Sequence, residues 1–72
     1  MTPEQLRDLR ARTHLSQASF ADLCYVTEGT ISRWERLGGG KKSRRIHDLN
    51  AVGIIGCINQ EFGYGLGAED YV

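Results

Sequence analysis

Glu28, Gly29, Ser32, Arg33 and Arg36 share one side of any helix laid through them, with 28, 32 and 36 in one row and 29 and 33 in the next. Their types carry a specific chemistry. An arginine fork matches the O6 and N7 acceptors of guanine, a carboxylate accepts from cytosine N4, and a hydroxyl adapts to either role. Glycine has no side chain to read with and permits close approach. Such a face has nothing inside a small domain to pair with, and it can enter a groove. Catalysis has no comparable set. His14 and His47 each stand alone, with no cysteine-histidine or serine-histidine-acid grouping, and the GGGKKS run from Gly38 to Ser43 lacks the spacing of a phosphate-binding loop. No second ligand stands at metal spacing from His47. The chain is expected to be no enzyme and to use neither metal nor cofactor.

Two short helical patterns position that face. In the first, Ser16 is an N-cap residue, Phe20, Ala21 and Cys24 fall on one stripe, and Leu23 widens it. The second opens at Thr27, also a cap residue, and turns Ile31 and Trp34 inward. Two helices separated by three or four residues, the second with an unpaired polar face, have the layout of a helix-turn-helix.

The stretch from Leu15 to Arg36 resembles the lambda-repressor-like family of helix-turn-helix proteins, the superfamily of Cro and the phage repressors. Leu15, Ser16, Gln17, Ala21, Leu23, Val26, Thr30, Ile31, Ser32, Arg33, Trp34 and Glu35 fit that family's pattern in register without a gap. One position departs: the turn that usually carries glycine holds Tyr25, so the turn is expected to be strained or shifted. The resemblance implies that the second helix lies in the major groove with its early residues at base edges. Arg33 is then the first candidate for base readout, with Glu28, Gly29 and Ser32 beside it. Glu28 has a second role open to it, since a carboxylate at a helix N-terminus is stabilised there in any case. Gln17, Thr27, Thr30, Arg36, Lys41, Lys42, Arg44 and Arg45 are candidates for phosphate contacts, which set register rather than sequence, and Thr30 could join either group. The resemblance also implies that Arg10 pairs with Glu35, fixing the first helix of the chain against the third.

Charge distribution agrees with that expectation although the net charge is zero. From Gly29 to His47 there are six basic residues and one acid, while the remainder holds three basic and eight acidic residues. The chain is electrically two-sided, with its positive part coinciding with the polar helix face. Cys24 and Cys57 read as reduced core residues in a chain without a signal-peptide pattern, and no apolar run approaches membrane-spanning length. A cytoplasmic location is expected.

Seventy-two residues make one small domain near the size limit for a self-sufficient core. The expected fold is all-α, a compact bundle of four to five short helices at about 3–13, 16–24, 27–37, 44–52 and 54–62. Thr2, Pro3, Glu4 and Gln5 specify the first start as a capping box with proline at the first helical position. Leu6, Leu9 and Leu15 point to the core, and Arg7, Asp8 and Arg12 are read as solvated. Three successive glycines after Leu37 end the third helix in a loop. Ser43 would cap the fourth, with Ile46 and Leu49 facing the core and His47 a polar surface residue. From Gly53 either a fifth helix runs to Phe62 and ends at Gly63, the preferred reading, or the region is partly extended.

Ile54, Ile55, Ile58, Phe62 and Leu66 exceed what so small a core is expected to bury, and Gly53 and Gly56 allow another backbone to approach. Those five residues are therefore the expected contact of a homodimer. Residues 1–62 would form the DNA-binding domain with this dimerisation segment, and 63–72 a glycine-rich tail, either disordered or folded onto the partner. The function expected from the resemblance is a sequence-specific repressor or autoregulator, a homodimer on an inverted-repeat operator of double-stranded DNA. The alternative is an antitoxin-like interaction module whose apolar C-terminal segment binds a protein partner. No membrane partner is expected.

Overall fold

The computed structural model describes residues 1–36 and 45–72. It contains four α-helices and a short 3-10 turn, with no strand among the described residues: α1 (Pro3–Thr13), α2 (Gln17–Leu23), α3 (Glu28–Arg36), α4 (Asp48–Phe62) and the turn Ala68–Asp70. α1 begins as its sequence dictates. Thr2 Oγ1 accepts from the Gln5 N–H at 3.1 Å while Gln5 Oε1 accepts from the Thr2 N–H at 2.8 Å, so two orphan donors are satisfied reciprocally. Its C-terminal end is closed by His14 in the left-handed region, φ 59°. Ser16 caps α2 through the Ser19 N–H, and Thr27 Oγ1 accepts from the Thr30 N–H at the start of α3.

α2 ends in a Schellman arrangement. The Val26 N–H reaches back to the Ala21 carbonyl at 3.0 Å and the Tyr25 N–H to that of Asp22 at 3.2 Å. This closure requires a left-handed residue between them, and Tyr25 supplies it at φ 60°. The place where glycine is usual is thus held by a tyrosine in glycine's conformation, with its side chain 89 % exposed.

The core gathers Leu6 and Leu9 from α1, Phe20 and Ala21 from α2, Ile31 and Trp34 from α3, and Ala51, Ile54, Ile55 and Ile58 from α4. Met1 and Ile46 join it, linked by a bond of 2.8 Å from the Ile46 N–H to the Met1 carbonyl. The expected fourth and fifth helices are one. α4 runs unbroken through Gly53 and Gly56 and closes at Gly63, φ 66°. Its buried side chains fall at i, i+3, i+4 and i+7, so apolar burial outweighs the roughly 1 kcal/mol that each glycine costs in a helix.

The fourth helical start differs from expectation. Arg45, Ile46 and His47 are not helical, and His47 is the N-cap, with Nδ1 accepting from the Leu49 N–H at 3.1 Å. Ile46 is buried on the segment before the helix, so the i, i+3 relation that would bring Leu49 inward does not apply. Leu49 is 77 % exposed. The expected cap at Ser43 and the last residue of the expected third helix, Leu37, lie outside the described residues.

The expected apolar surplus is also corrected. Ile54, Ile55 and Ile58 are all at or below 3 % exposure within the single chain, and Phe62 and Leu66 are half-buried against the same core. A continuous helix lays its whole isoleucine stripe across the bundle, which leaves none of it for a partner. The tail, too, is folded onto its own chain. Asn59 clamps Leu66 at both backbone groups at 2.8 Å, Tyr64 donates to the Arg12 carbonyl at 3.1 Å, and Ala68 and Tyr71 pack against the core. Arg12 is exposed as expected, with its Cζ 5.0 Å from the Tyr64 ring centre.

Two consequences are measurable by chemical denaturation. Ile58→Ala should cost about 2–5 kcal/mol, as a core truncation does, whereas an interface residue exposed in the monomer would cost little. Tyr25→Gly should stabilise the fold by about 1 kcal/mol, because it relieves a left-handed side chain and removes no packing. A neutral or destabilising Tyr25→Gly would show that the turn is not strained.

Candidate nucleic-acid interface

Behind α3, one carboxylate gathers the donors of two other helices. Glu35 is 6 % exposed, and Arg10 on α1 meets it with both edges of its fork, Nε to Oε2 at 2.6 Å and Nη2 to Oε1 at 3.0 Å. Gln17 Nε2, from the first residue of α2, donates to the same Oε1 at 3.1 Å. Arg7 donates to the Glu35 backbone carbonyl while its other nitrogen stands 3.4 Å from Glu4. Arg10 also reaches the Leu15 carbonyl at 3.3 Å. Three helices therefore meet at Glu35.

Burial alone would raise the Glu35 pKa, but the hydrogen bonds from Arg10 and Gln17 and the nearby guanidinium charges outweigh it. The carboxyl is held below its ordinary range. The hydrogen bond to Glu35 likewise raises the Arg10 pKa. The network is satisfied: among the described residues no buried side-chain nitrogen or oxygen lacks a partner.

With Glu35, Ile31 and Trp34 turned inward, the opposite side of α3 carries Glu28, Gly29, Arg33 and Arg36, all exposed, and Ser32, half-exposed. The Glu28, Ser32 and Arg33 side chains have no hydrogen-bond partner among the described residues. Arg36 Nε donates along the helix to the Ser32 carbonyl at 3.3 Å. At the N-terminal end, the Thr27 and Thr30 hydroxyls lie 2.9 Å apart. A side chain at Gly29 would meet only Thr27 Oγ1, at 4.0 Å, and Gly29 has no left-handed φ, so the fold does not require glycine there.

The structure brings Glu28, Gly29, Ser32, Arg33 and Arg36 to one exposed face, with Thr27 and Thr30 at its edge. Gln17 is drawn away into the Glu35 network. Arg45 is exposed beside the chain start, where its charge adds to burial in lowering the pKa of the Met1 amino group. Lys41, Lys42 and Arg44 lie outside the described residues. Sequence reasoning missed Gln17 and Arg7 as partners of Glu35. A buried carboxylate has more acceptor sites than one arginine fills, and that deficit was the available signal.

Cys24 and Cys57 are free and half-buried, and burial, then the neighbouring Cys57, pushes the Cys24 thiol up to about 12. Such a thiol stays protonated and behaves as a small apolar side chain. Among the described residues no three histidine, cysteine or acidic side chains gather to hold a metal, and no helix is long and apolar enough to cross a membrane. Compared with known proteins, the chain matches no family model, no curated protein and no solved structure.

The Glu35 network predicts a pH dependence. A carboxyl with a depressed folded pKa contributes stability in full above its unfolded value near 4.5, and that contribution is lost as pH falls through the lower folded value. Urea midpoints from pH 7 to pH 3 should fall more steeply below about pH 4.5 for the natural chain than for Glu35→Gln. Equal curves would mean that Glu35 is not perturbed. At pH 7, Glu35→Ala should cost about 1–3 kcal/mol, less than for a fully buried pair because Arg10 is only half-buried, and Arg10→Met with Glu35→Leu should recover much of it.

Proposed function

We propose that the chain is a sequence-specific, double-stranded DNA-binding regulator, a helix-turn-helix formed by α2 and α3 that represses transcription by occupying an operator as a homodimer. The observation that carries this reading is the outward row of α3. Glu28 and Arg33 are exposed there with no side-chain hydrogen-bond partner among the described residues, Ser32 is half-exposed beside them, and the helix that bears them is fixed from behind by Glu35, so the row is presented without a cost of ordering the backbone. The resemblance of Leu15 to Glu35 to the lambda-repressor-like pattern supports it. So does the positive segment from Gly29 to His47, whose one acid, Glu35, is neutralised by Arg10 and subtracts nothing from the charge shown to phosphates.

In this reading Arg33 reads guanine, Glu28 and Ser32 add hydrogen bonds, and Gly29 lets backbone come close to a base edge. Thr27, Thr30, Arg36, Lys41, Lys42, Arg44 and Arg45 meet phosphates. Gln17, at the N-terminus of α2, orients Glu35 rather than meeting a phosphate. The protein would act in the cytoplasm, with no cofactor and no catalysis. One domain of this size offers few base contacts, so two copies on an inverted repeat, with half-sites about 10 bp apart, supply the discrimination. The reading as a protein-interaction module rested on an exposed apolar C-terminal segment, and Ile54, Ile55 and Ile58 are spent inside the chain.

Selecting bound sequences from a random duplex library tests the proposal directly: enrichment of one two-fold motif is expected, and no enrichment overturns it. On the selected site, log affinity should fall with log salt at about 0.9 per neutralised phosphate, for roughly 6–10 phosphates. Arg33→Ala should cost about 1–3 kcal/mol on that site and relax one base position, whereas Lys41→Ala with Lys42→Ala should weaken all sequences alike. Gly29→Ala should raise the melting temperature, since alanine favours the helix by about 0.8–1.0 kcal/mol, yet weaken specific binding. Unchanged binding would remove the close-approach role.

A further inference from the structure

Cys24 and Cys57 stand on different helices and line one hollow. It is a space of about 260 Å³ between the turn after α2 and the side of α4, with Trp34 and Ile54 in its wall and no charged side chain lining it. Cys24 enters it from the C-cap of α2 and Cys57 from the second half of α4, and both are free and half-buried. Cys57 also lines a second, smaller hollow beside the exposed Gln60 and Glu61, which gives it another approach from solvent. Neither thiol takes part in the proposed contacts with DNA.

We propose that Cys24 and Cys57 form a redox-active thiol pair, which hydrogen peroxide oxidises to a disulfide within the chain. Beyond the shared hollow, three features support the pairing. Burial, then Cys57, pushes the Cys24 thiol up to about 12, so a charge on one sulfur is felt at the other. Gly53 stands one helical turn before Cys57 and lines the same hollow, and a side-chain carbon there would meet nothing within 4 Å, so no bulk on that row of α4 holds the end of α2 away. A disulfide needs its Cα atoms within about 7 Å, and Cys24 lies where a helix ends and the chain turns left-handed at Tyr25, so adjustment to that distance does not disturb a helix interior. The product carries no charge, which suits a hollow lined by none.

The approaches to the two sulfurs assign their roles. Cys57, as its thiolate, attacks one peroxide oxygen; the O–O bond breaks, Cys57 becomes a sulfenic acid, and the departing hydroxide takes up the proton that the thiol released, leaving as water. The Cys24 sulfur then attacks that of Cys57. The S–O bond breaks as the S–S bond forms, and the Cys24 proton leaves with the hydroxyl as a second water. Two thiols have lost two electrons and two protons, and one peroxide has become two waters. The bond closes a loop from residue 24 to residue 57 that contains all of α3, and it ties the end of α2 to α4. Closing so long a loop limits the unfolded chain and raises stability. The inference goes beyond the proposed function and does not depend on DNA.

The test is to add hydrogen peroxide to the full chain under native conditions. Intact-mass spectrometry should show a species of 8.0 kDa that has lost two hydrogens and has no thiol left to alkylate. Its melting midpoint should rise by about 10 °C or more and return to the starting value with dithiothreitol. Trp34 is the one tryptophan and lines the hollow, so its emission should fall on oxidation through quenching by the disulfide. With no partner sulfur, Cys24→Ala should accumulate a sulfenic acid at Cys57 that dimedone traps, whereas Cys57→Ala should be trapped several-fold more slowly. Thiols that remain alkylatable in the natural chain, a disulfide that joins two chains at twice the mass, or oxidation that proceeds only in urea overturns the inference, and none of these readings requires a variant to fold. Equal trapping of the two variants overturns the assignment of Cys57 as the attacking thiol.

Discussion

The orientation of α3 depends on one buried carboxylate. Glu35 sits in the last turn of that helix with Arg10 and Gln17 on its oxygens and Arg7 on its carbonyl, so α1 and the start of α2 converge on a single residue of α3. A domain this small has few apolar layers with which to fix the rotation of a nine-residue helix. Packing of Ile31 and Trp34 sets which side faces inward, but two apolar residues tolerate some rolling and sliding. A bidentate arginine does not. Its fork accepts a carboxylate in one plane at one distance, and Gln17 fixes the same oxygen from another direction. The network's chief contribution is geometric, because the cost of burying the ions offsets much of their attraction.

That arrangement also sorts the charges. Glu35 is the one acid in the basic segment from Gly29 to His47, and its position inward, against Arg10, withdraws it from the surface. The exposed side of α3 retains Arg33 and Arg36, with Glu28 at the N-terminal end, where a carboxylate suits the helix dipole. A net charge of zero thus conceals an uneven distribution along the sequence, with six basic residues and one acid between Gly29 and His47. The residue that locks the fold is the one whose removal from the surface sharpens that contrast.

Local signals in the sequence were read well where they were self-contained. The capping box of Thr2 and Gln5, the caps at Ser16 and Thr27, and the inward stripes of Phe20, Ala21, Ile31 and Trp34 each follow from a few adjacent residues, and the structure places them as expected. The pairing of Arg10 with Glu35 was expected from resemblance and is present. What escaped was non-local. Glycine pairs read as a break at Gly53 are harmless on the outer side of a helix whose other side buries three isoleucines, and no window of sequence reveals that balance. The isoleucines looked surplus because they were assigned to a separate fifth helix, and because the core was counted without Met1, which closes it from the chain start. Leu49 looked buried because its distance from Ile46 was measured as if both stood on one helix.

Tyr25 connects these points. Its left-handed conformation is imposed by the closure of α2, which must release the chain at the angle that lets Thr27 cap α3 two residues later. Glycine would satisfy that geometry at lower cost, and the tyrosine ring gains almost no burial within the chain to offset the strain. The ring stands at the edge of the hollow beside α4, which Val26, Trp34 and Leu49 also line. The turn leads directly into Thr27 and Glu28, the end of α3 where base contacts are proposed. The start of α3, and with it the placement of the polar row, is therefore set locally, by the three consecutive peptide bonds from Tyr25 to Glu28 that follow the closure of α2.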